Sequence, residues 1–355
     1  MAFGLGAFVL TTGAFAQQAV PQIPFDSNVD FFKLPDNIHF GEASGVAVNS
    51  KGHVYVFSRG STNGPAFGAA AAQVLEFDAN GKYLREIGKG LYAWSYAHTV
   101  RVDKNDNLWA IDKGSDMVIR FNPQGRVNMV FGRKKEASDE AAPWTRVTPP
   151  RPPVDGQFRQ PTDVTWDAAG NIYISDGYIN ARVAKYDANG DWIKSFGEPG
   201  TGPGQLNTPH SIASDAQGNI YVADRGNRRI QVFNGEGALL RQITIDVPVP
   251  ADAKPWMGAQ PNASAATAQS GAPWAICITP AVAGGTQYLY SSDAFPGRIY
   301  KLTLDGKVVG MLGKSGRQPK QFGWIHEMAC PSENELYVAE ILNWRVQKLT
   351  LRPAK

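Results

Sequence analysis

Hydrophobic and polar residues alternate along this chain in short runs, broken by turns rich in Gly, Asn and Asp, the pattern of strands with one face buried. The clearest stretch, PTDVTWDAAGNIYISDGYINARVAKYDANGDWIKSFG, parses into four strands, TDVTW, NIYIS, RVAKY and DWIKSF, with turns at AAG and ANG. HSIASDAQGNIYVADRGNRRIQVFNGEGALLRQI and HTVRVDKNDNLWAIDKGSDMVIRFNPQGRVNMVFG repeat it. Six units align, their first strands beginning near Ser44, His98, Thr162, His210, Ala275 and His326. Four-stranded units of this length predict an all-β fold, a six-bladed β-propeller. One such meander cannot bury both of its faces, so the blades must stack on their neighbours and the ring must close. The sixth unit stops after ELYVAE and RVQKLTL. The segment Val29–Leu34 is predicted to supply its missing outer strand and so hide two exposed edges. This divides the mature chain into an N-terminal segment with the closing strand at 17–40 and the propeller at 41–355. Two long irregular inserts, 134–157 and 246–274, each join a fourth strand to the next first strand and could roof one mouth of the ring.

The first residues change the picture of where the protein works. MAFGLGAFVLTTGAFAQQ is apolar and ends in Ala14-Phe15-Ala16, which reads as a secretory signal at 1–16. It is too short to span a bilayer as an anchor. No Lys or Arg precedes the apolar run, so a start further upstream is expected. The protein is expected to be secreted or periplasmic and free of the membrane after cleavage. A net charge of +3, with Lys and Arg scattered, excludes a dedicated nucleic-acid binder. The two cysteines, Cys277 and Cys330, follow the starts of the last two units; a disulfide and a pair of buried thiols both fit the sequence.

Candidate chemistry lies in the register. Of five histidines, three open the first strands of alternate units: His98, His210 and His326. On a closed ring they would point at one spot on the axis, a metal site built from repeats. Three neutral imidazoles with an open position suit a catalytic zinc better than a structural one, and another divalent transition metal would share the ligand type. Fourteen residues after each comes an acid, Asp112, Asp224 or Glu340, which could accept the far ring N–H or simply close the turn; Asp176 stands at that register without a histidine. In a meander the start of strand 1 and the end of strand 2 share a rim. Arg59, Tyr178 and Arg225 therefore fall at the same mouth as the histidines. His39 and His53 read as surface residues.

With these residues in view, the blades resemble NHL repeats. The whole constellation is similar to the peptidyl-α-hydroxyglycine α-amidating lyase family, a six-bladed propeller. The similar segments are FRQPTDV with ISDGYINARV, LNTPHSIASD with VADRGNRRIQVF, and SGVAVN through VYVFSRG. The resemblance implies zinc on His98, His210 and His326, a catalytic tyrosine at Tyr178, an active-site arginine at Arg59 and a second mouth arginine at Arg225. It also implies a structural calcium held by the carbonyls of Val46 and Val100 and by Glu327. Two positions depart from the pattern. Trp324 replaces a methionine and would reshape the substrate pocket, and Glu327 replaces a shorter aspartate. The family's companion copper monooxygenase domain has no counterpart in these residues.

The activity implied is cleavage of an N-acyl-α-hydroxyglycine to a primary amide and glyoxylate, with Tyr178 as base made more acidic by the neighbouring Arg59 and with Arg225 or Arg59 holding the substrate carboxylate in a bidentate fork. The protein is expected to act as a monomer on a small-molecule or peptide-derived substrate. Two rival readings are a lactonase or other metal-dependent hydrolase, which would place carboxylates around an axial calcium, and a non-catalytic NHL module that binds no zinc.

Overall fold

The computed structural model describes residues 20–60, 72–134, 148–255 and 269–352. The expected signal at 1–16 lies outside these, as do the central parts of both inserts. The strands form six antiparallel sheets of four, one per blade. The third blade shows how closely pattern and structure agree, with strands Asp163–Trp166, Ile172–Asp176, Arg182–Tyr186 and Trp192–Phe196. The innermost strands of the six blades are Ala43–Val48, Ala97–Val102, Asp163–Trp166, Pro209–Ser214, Ile276–Ile278 and Ile325–Ser332.

Successive side chains on a strand face opposite ways, so each blade feeds two interfaces. In the first blade Tyr55 and Phe57 pack toward the second, while Val54 and Val56 pack toward the sixth. Six apolar clusters result, one at every seam between neighbouring blades. No blade is stable alone because half of its apolar surface belongs to a neighbour.

Closure differs in detail from the expectation. The strand that completes the sixth blade is Phe25–Asn28, paired antiparallel with Arg345–Leu351 from Phe25 opposite Leu351 to Asn28 opposite Lys348. Val29–Leu34 is not that strand. Its apolar side chains go into the seam between the sixth and first blades, where Phe32 meets Phe77 at 4.8 Å and Phe31 meets Tyr337 at 5.9 Å between ring centroids. Burial in a seam outweighs an edge ladder for such residues. An outer strand needs only one apolar face, which Phe-Asp-Ser-Asn supplies. A disulfide between Cys277 and Cys330 ties the innermost strands of the fifth and sixth blades.

Candidate active site

Each histidine is placed by a clamp that recurs from blade to blade. The acid fourteen residues on accepts the backbone N–H three residues before the histidine: Ser95 to Asp112 at 2.8 Å, Asn207 to Asp224 at 2.6 Å and Gly323 to Glu340 at 2.6 Å. Asp176 does the same for Arg159, and Ser58 for Gly41. The acids thus close the turn that delivers strand 1 to the axis and do not touch the imidazoles, which removes the idea that they fix the ring tautomer. The turn is tight: Thr208 and Trp324, each two residues before a histidine, take left-handed φ values of 56° and 62°.

The tautomer is fixed instead by the blades that carry no histidine. Nδ1–H of His98 donates to the carbonyl of Thr162 at 2.6 Å, His210 to Trp274 at 2.7 Å, and His326 to Ser44 at 2.7 Å. A carbonyl can only accept, so Nδ1 carries the hydrogen and the Nε2 lone pair is left for the axis. The ring centroids form a triangle with sides of 4.7, 4.7 and 4.8 Å. The ligand nitrogens lie within 4.8 Å of one another. Burial pushes all three pKa values well below the ordinary histidine range, nearby cations push the same way, and for His98 and His210 so do the neighbouring imidazoles. Nε2 of His210 is buried with no hydrogen-bond partner. Three neutral, converging, buried acceptors are unfavourable as they stand and fit a divalent transition metal.

Around this triangle stand the other expected residues. The Tyr178 hydroxyl is 3.4 Å from Nε2 of His98. Burial alone would raise its pKa, but Lys113, Arg225 and Arg59 outweigh burial and bring it down to about 8. Arg59 donates through Nε to the Ala97 carbonyl at 2.8 Å and through Nη1 to Glu42 at 2.7 Å, and its Nη2 sits 3.5 Å from Nε2 of His326. Arg225 lies over Trp274 at 3.8 Å and near Tyr178 at 5.4 Å. Trp324 packs edge-on against Trp274 at 4.8 Å, and Trp274 against His210 at 5.0 Å, so the two indoles wall one side of the triangle.

Comparison with known proteins adds to this geometry. The NHL repeat family matches residues 206–233, the segment that contains His210 and Arg225. The peptidyl-glycine alpha-amidating monooxygenase of Mus musculus is 30% identical over 46% of this chain and 17% of its own length. The peptidyl-alpha-hydroxyglycine alpha-amidating lyase 1 of Drosophila melanogaster is 24% identical over 89% of this chain and 58% of its own. The chain is a six-bladed propeller that carries an NHL repeat and resembles the amidating lyases. It spans less than two thirds of the length of those relatives. A gluconolactonase from Xanthomonas campestris shares the fold at 14% identity, with a TM-score of 0.57 over 88% of this chain and 87% of that one.

The calcium expectation meets a different arrangement in this propeller. Val46 and Val100 lie buried on the innermost strands of the first and second blades, and Glu327 reaches the axis below the histidines. The Glu327 carboxylate pairs with Arg101 at 2.8 Å and accepts from the Thr99 hydroxyl and from the Met328 N–H. Arg101 also forks onto Asp163, at 2.9 Å through Nε and 2.6 Å through Nη2. The Glu327 carboxylate, expected on a calcium ion, is thus engaged by a cation tethered to the chain.

Sequence reasoning missed Lys113, Tyr96 and Trp274. Lys113 was legible: it stands fifteen residues after His98, as Arg225 does after His210 and Arg59 after Ser44. Tyr96 was legible too, two residues before His98 as Trp324 is before His326, while Trp274 offers its carbonyl to His210 as Thr162 and Ser44 do to the other two histidines. His53, expected at the surface, is partly buried against Glu76 at 2.9 Å, while His39 is exposed as expected.

Proposed function

We propose that this propeller is a metal-dependent lyase that splits N-acyl-α-hydroxyglycine-type substrates into a primary amide and glyoxylate. The observation that carries the reading is the set of three buried neutral imidazoles, Nδ1 tied back and Nε2 converging, with an acidified tyrosine in contact. Zinc, when bound there, supplies a Lewis acid for the substrate's α-hydroxyl.

The chain's own residues supply the rest. The Tyr178 oxygen takes the α-hydroxyl proton as the carbinol C–N bond breaks. The electron pair of the O–H bond becomes the aldehyde π bond, and the C–N pair stays on the amide nitrogen, which receives that proton back from Tyr178. A phenol held near pKa 8 is substantially ionised at mildly alkaline pH, which an ordinary tyrosine is not. Arg59, fixed by Glu42 and Ala97, maintains the positive field that keeps it so. Trp274 and Trp324 offer an apolar wall for the acyl group. The mouth of the channel carries three converging imidazoles, while the axial carboxylates of Asp163 and Glu327 are paired with Arg101, which supports a lyase over a lactonase on the same scaffold. The disulfide supports export to an oxidising compartment, and no helix of the described residues is long and apolar enough to cross a membrane.

The test is metal analysis of the purified protein joined to glyoxylate release from α-hydroxyhippurate. Stoichiometric zinc with release is expected. Tyr178→Phe should lower kcat by about 10²- to 10⁴-fold, the usual worth of a general base, with metal content unchanged. Full turnover in that variant removes Tyr178 from the chemistry, and a metal-free wild-type protein removes the lyase reading.

A further inference from the structure

The mouth above the imidazoles carries a chain of alternating cations and aromatic rings. The Arg59 guanidinium carbon lies 4.3 Å from the Tyr96 ring centroid. Lys113 Nζ lies 4.7 Å from that ring and 3.9 Å from the ring of Tyr178. Arg225 follows, 5.4 Å from Tyr178 and 3.8 Å from Trp274. The three cations come from the first, second and fourth blades and share one register of the repeat.

Lys113 stands apart from the other two. The nitrogens of Arg59 are directed at Ala97, Glu42 and His326. Arg225 lowers the pKa of Tyr178 through its charge and a hydrogen bond. The ammonium of Lys113 makes no ion pair with a carboxylate among the described residues, and its neighbours are two phenol faces. Burial and the two arginines both disfavour its charge. Aromatic faces compensate such a charge only in part. An ammonium with three donors, wedged between rings beside a metal-binding triangle, is completed by an anion that arrives with the substrate.

We propose that Lys113 is a specificity-determining residue: its ammonium receives the carboxylate of the substrate and selects N-acyl-glycine-type acids over their neutral amides. The assignment rests on the lyase reading for the identity of the substrate, while the anion preference can be measured without turnover.

Two variants and two readouts test it. Lys113→Met keeps the stem against both rings, and Lys113→Arg keeps the charge. The first readout is benzamide release from α-hydroxyhippurate and from its neutral amide, the product being common to both. The preference for the acid, as a ratio of kcat/KM, should fall roughly 10- to 100-fold in Lys113→Met, mainly through KM, as expected for one hydrogen bond to a charged group. Lys113→Arg should retain most of the preference. An unchanged ratio in a folded Lys113→Met protein overturns the proposal, and so does loss of the preference in Lys113→Arg as complete as in Lys113→Met. The second readout is calorimetric binding of hippurate against hippuramide. The wild type should favour hippurate, and Lys113→Met should not. If no substrate is turned over but this preference and its loss are seen, the lyase reading fails and the anion site stands. If turnover proceeds with a preference indifferent to position 113, the lyase reading stands and the anion site fails.

Discussion

Arg101 is the residue whose removal tests the architecture of the axis most sharply. It rises from the innermost strand of the second blade and reaches across the channel to Asp163 of the third and Glu327 of the sixth. It also donates to the carbonyls of Ile276 and Met328, both at 3.2 Å. Asp163 is fully buried and Glu327 is 2% exposed. Arg101→Met would leave two carboxylates facing each other without water or a cation. Removing one partner of a buried ion pair costs about 3–5 kcal/mol, and the loss of several charge-assisted hydrogen bonds places this case toward the upper end. Burial and Asp163 raise the Glu327 pKa while Arg101 opposes them, so without Arg101 it rises further and one carboxyl would take up a proton, softening the loss at lower pH. Urea unfolding on the acidic and alkaline sides of this titration reads the effect as a shift in midpoint. The triple variant Arg101→Met/Asp163→Asn/Glu327→Gln removes all three charges and should recover most of the loss, a coupling that independent sites do not show. A midpoint for Arg101→Met within about 1 kcal/mol of the wild type, the usual range for exposed pairs, would refute the reasoning. Because the resident cation is covalently attached, neither added calcium nor its chelation should move the wild-type midpoint; a rise with calcium would show that the axis holds a second cation.

Two further outcomes follow from the same geometry. The Cys277–Cys330 bond spans a sequence separation of 53, and the loop entropy it removes from the unfolded chain corresponds to about 4 kcal/mol, so the Cys277→Ser/Cys330→Ser protein should unfold at clearly lower urea. A midpoint insensitive to both reductant and the double substitution would contradict this. The three buried imidazoles have depressed pKa values, so below about 6.5 the unfolded chain binds more protons than the folded one; the stability they confer is present above that value and lost as the pH falls. Metal-free wild type should therefore lose stability through that range more steeply than the His98→Gln/His210→Gln/His326→Gln protein, and parallel profiles would show that the rings do not titrate as described.

Much of the site was legible because it is written in a repeat. A register needs only local strand geometry, and a residue at a given offset in each blade recurs at a given height and radius on the ring. His98, His210 and His326 could be read this way, as could Arg59 and Arg225, and Lys113 could have been read by the same rule. The clamps at Asp112, Asp224 and Glu340 belong to it too, although their partner proved to be backbone N–H and not imidazole. Strand character at Val29–Leu34 does not by itself mark the closing strand, which is Phe25–Asn28. Phe31 and Phe32 are too apolar for an exposed edge and fill a seam instead.

Alternation and turn chemistry in the amino-acid sequence determined the blade, the number of blades and the shared rim of the histidines, since each depends on contacts within a few dozen residues. Tertiary structure alone decided what fills the axis. Arg101 meets Glu327 across 226 positions of chain (327 − 101 = 226), and Tyr178 acquires its acidity from Lys113, Arg225 and Arg59 on three different blades. Such groups meet only after the ring has closed, and the low-dielectric channel that gives their charges weight does not exist before then.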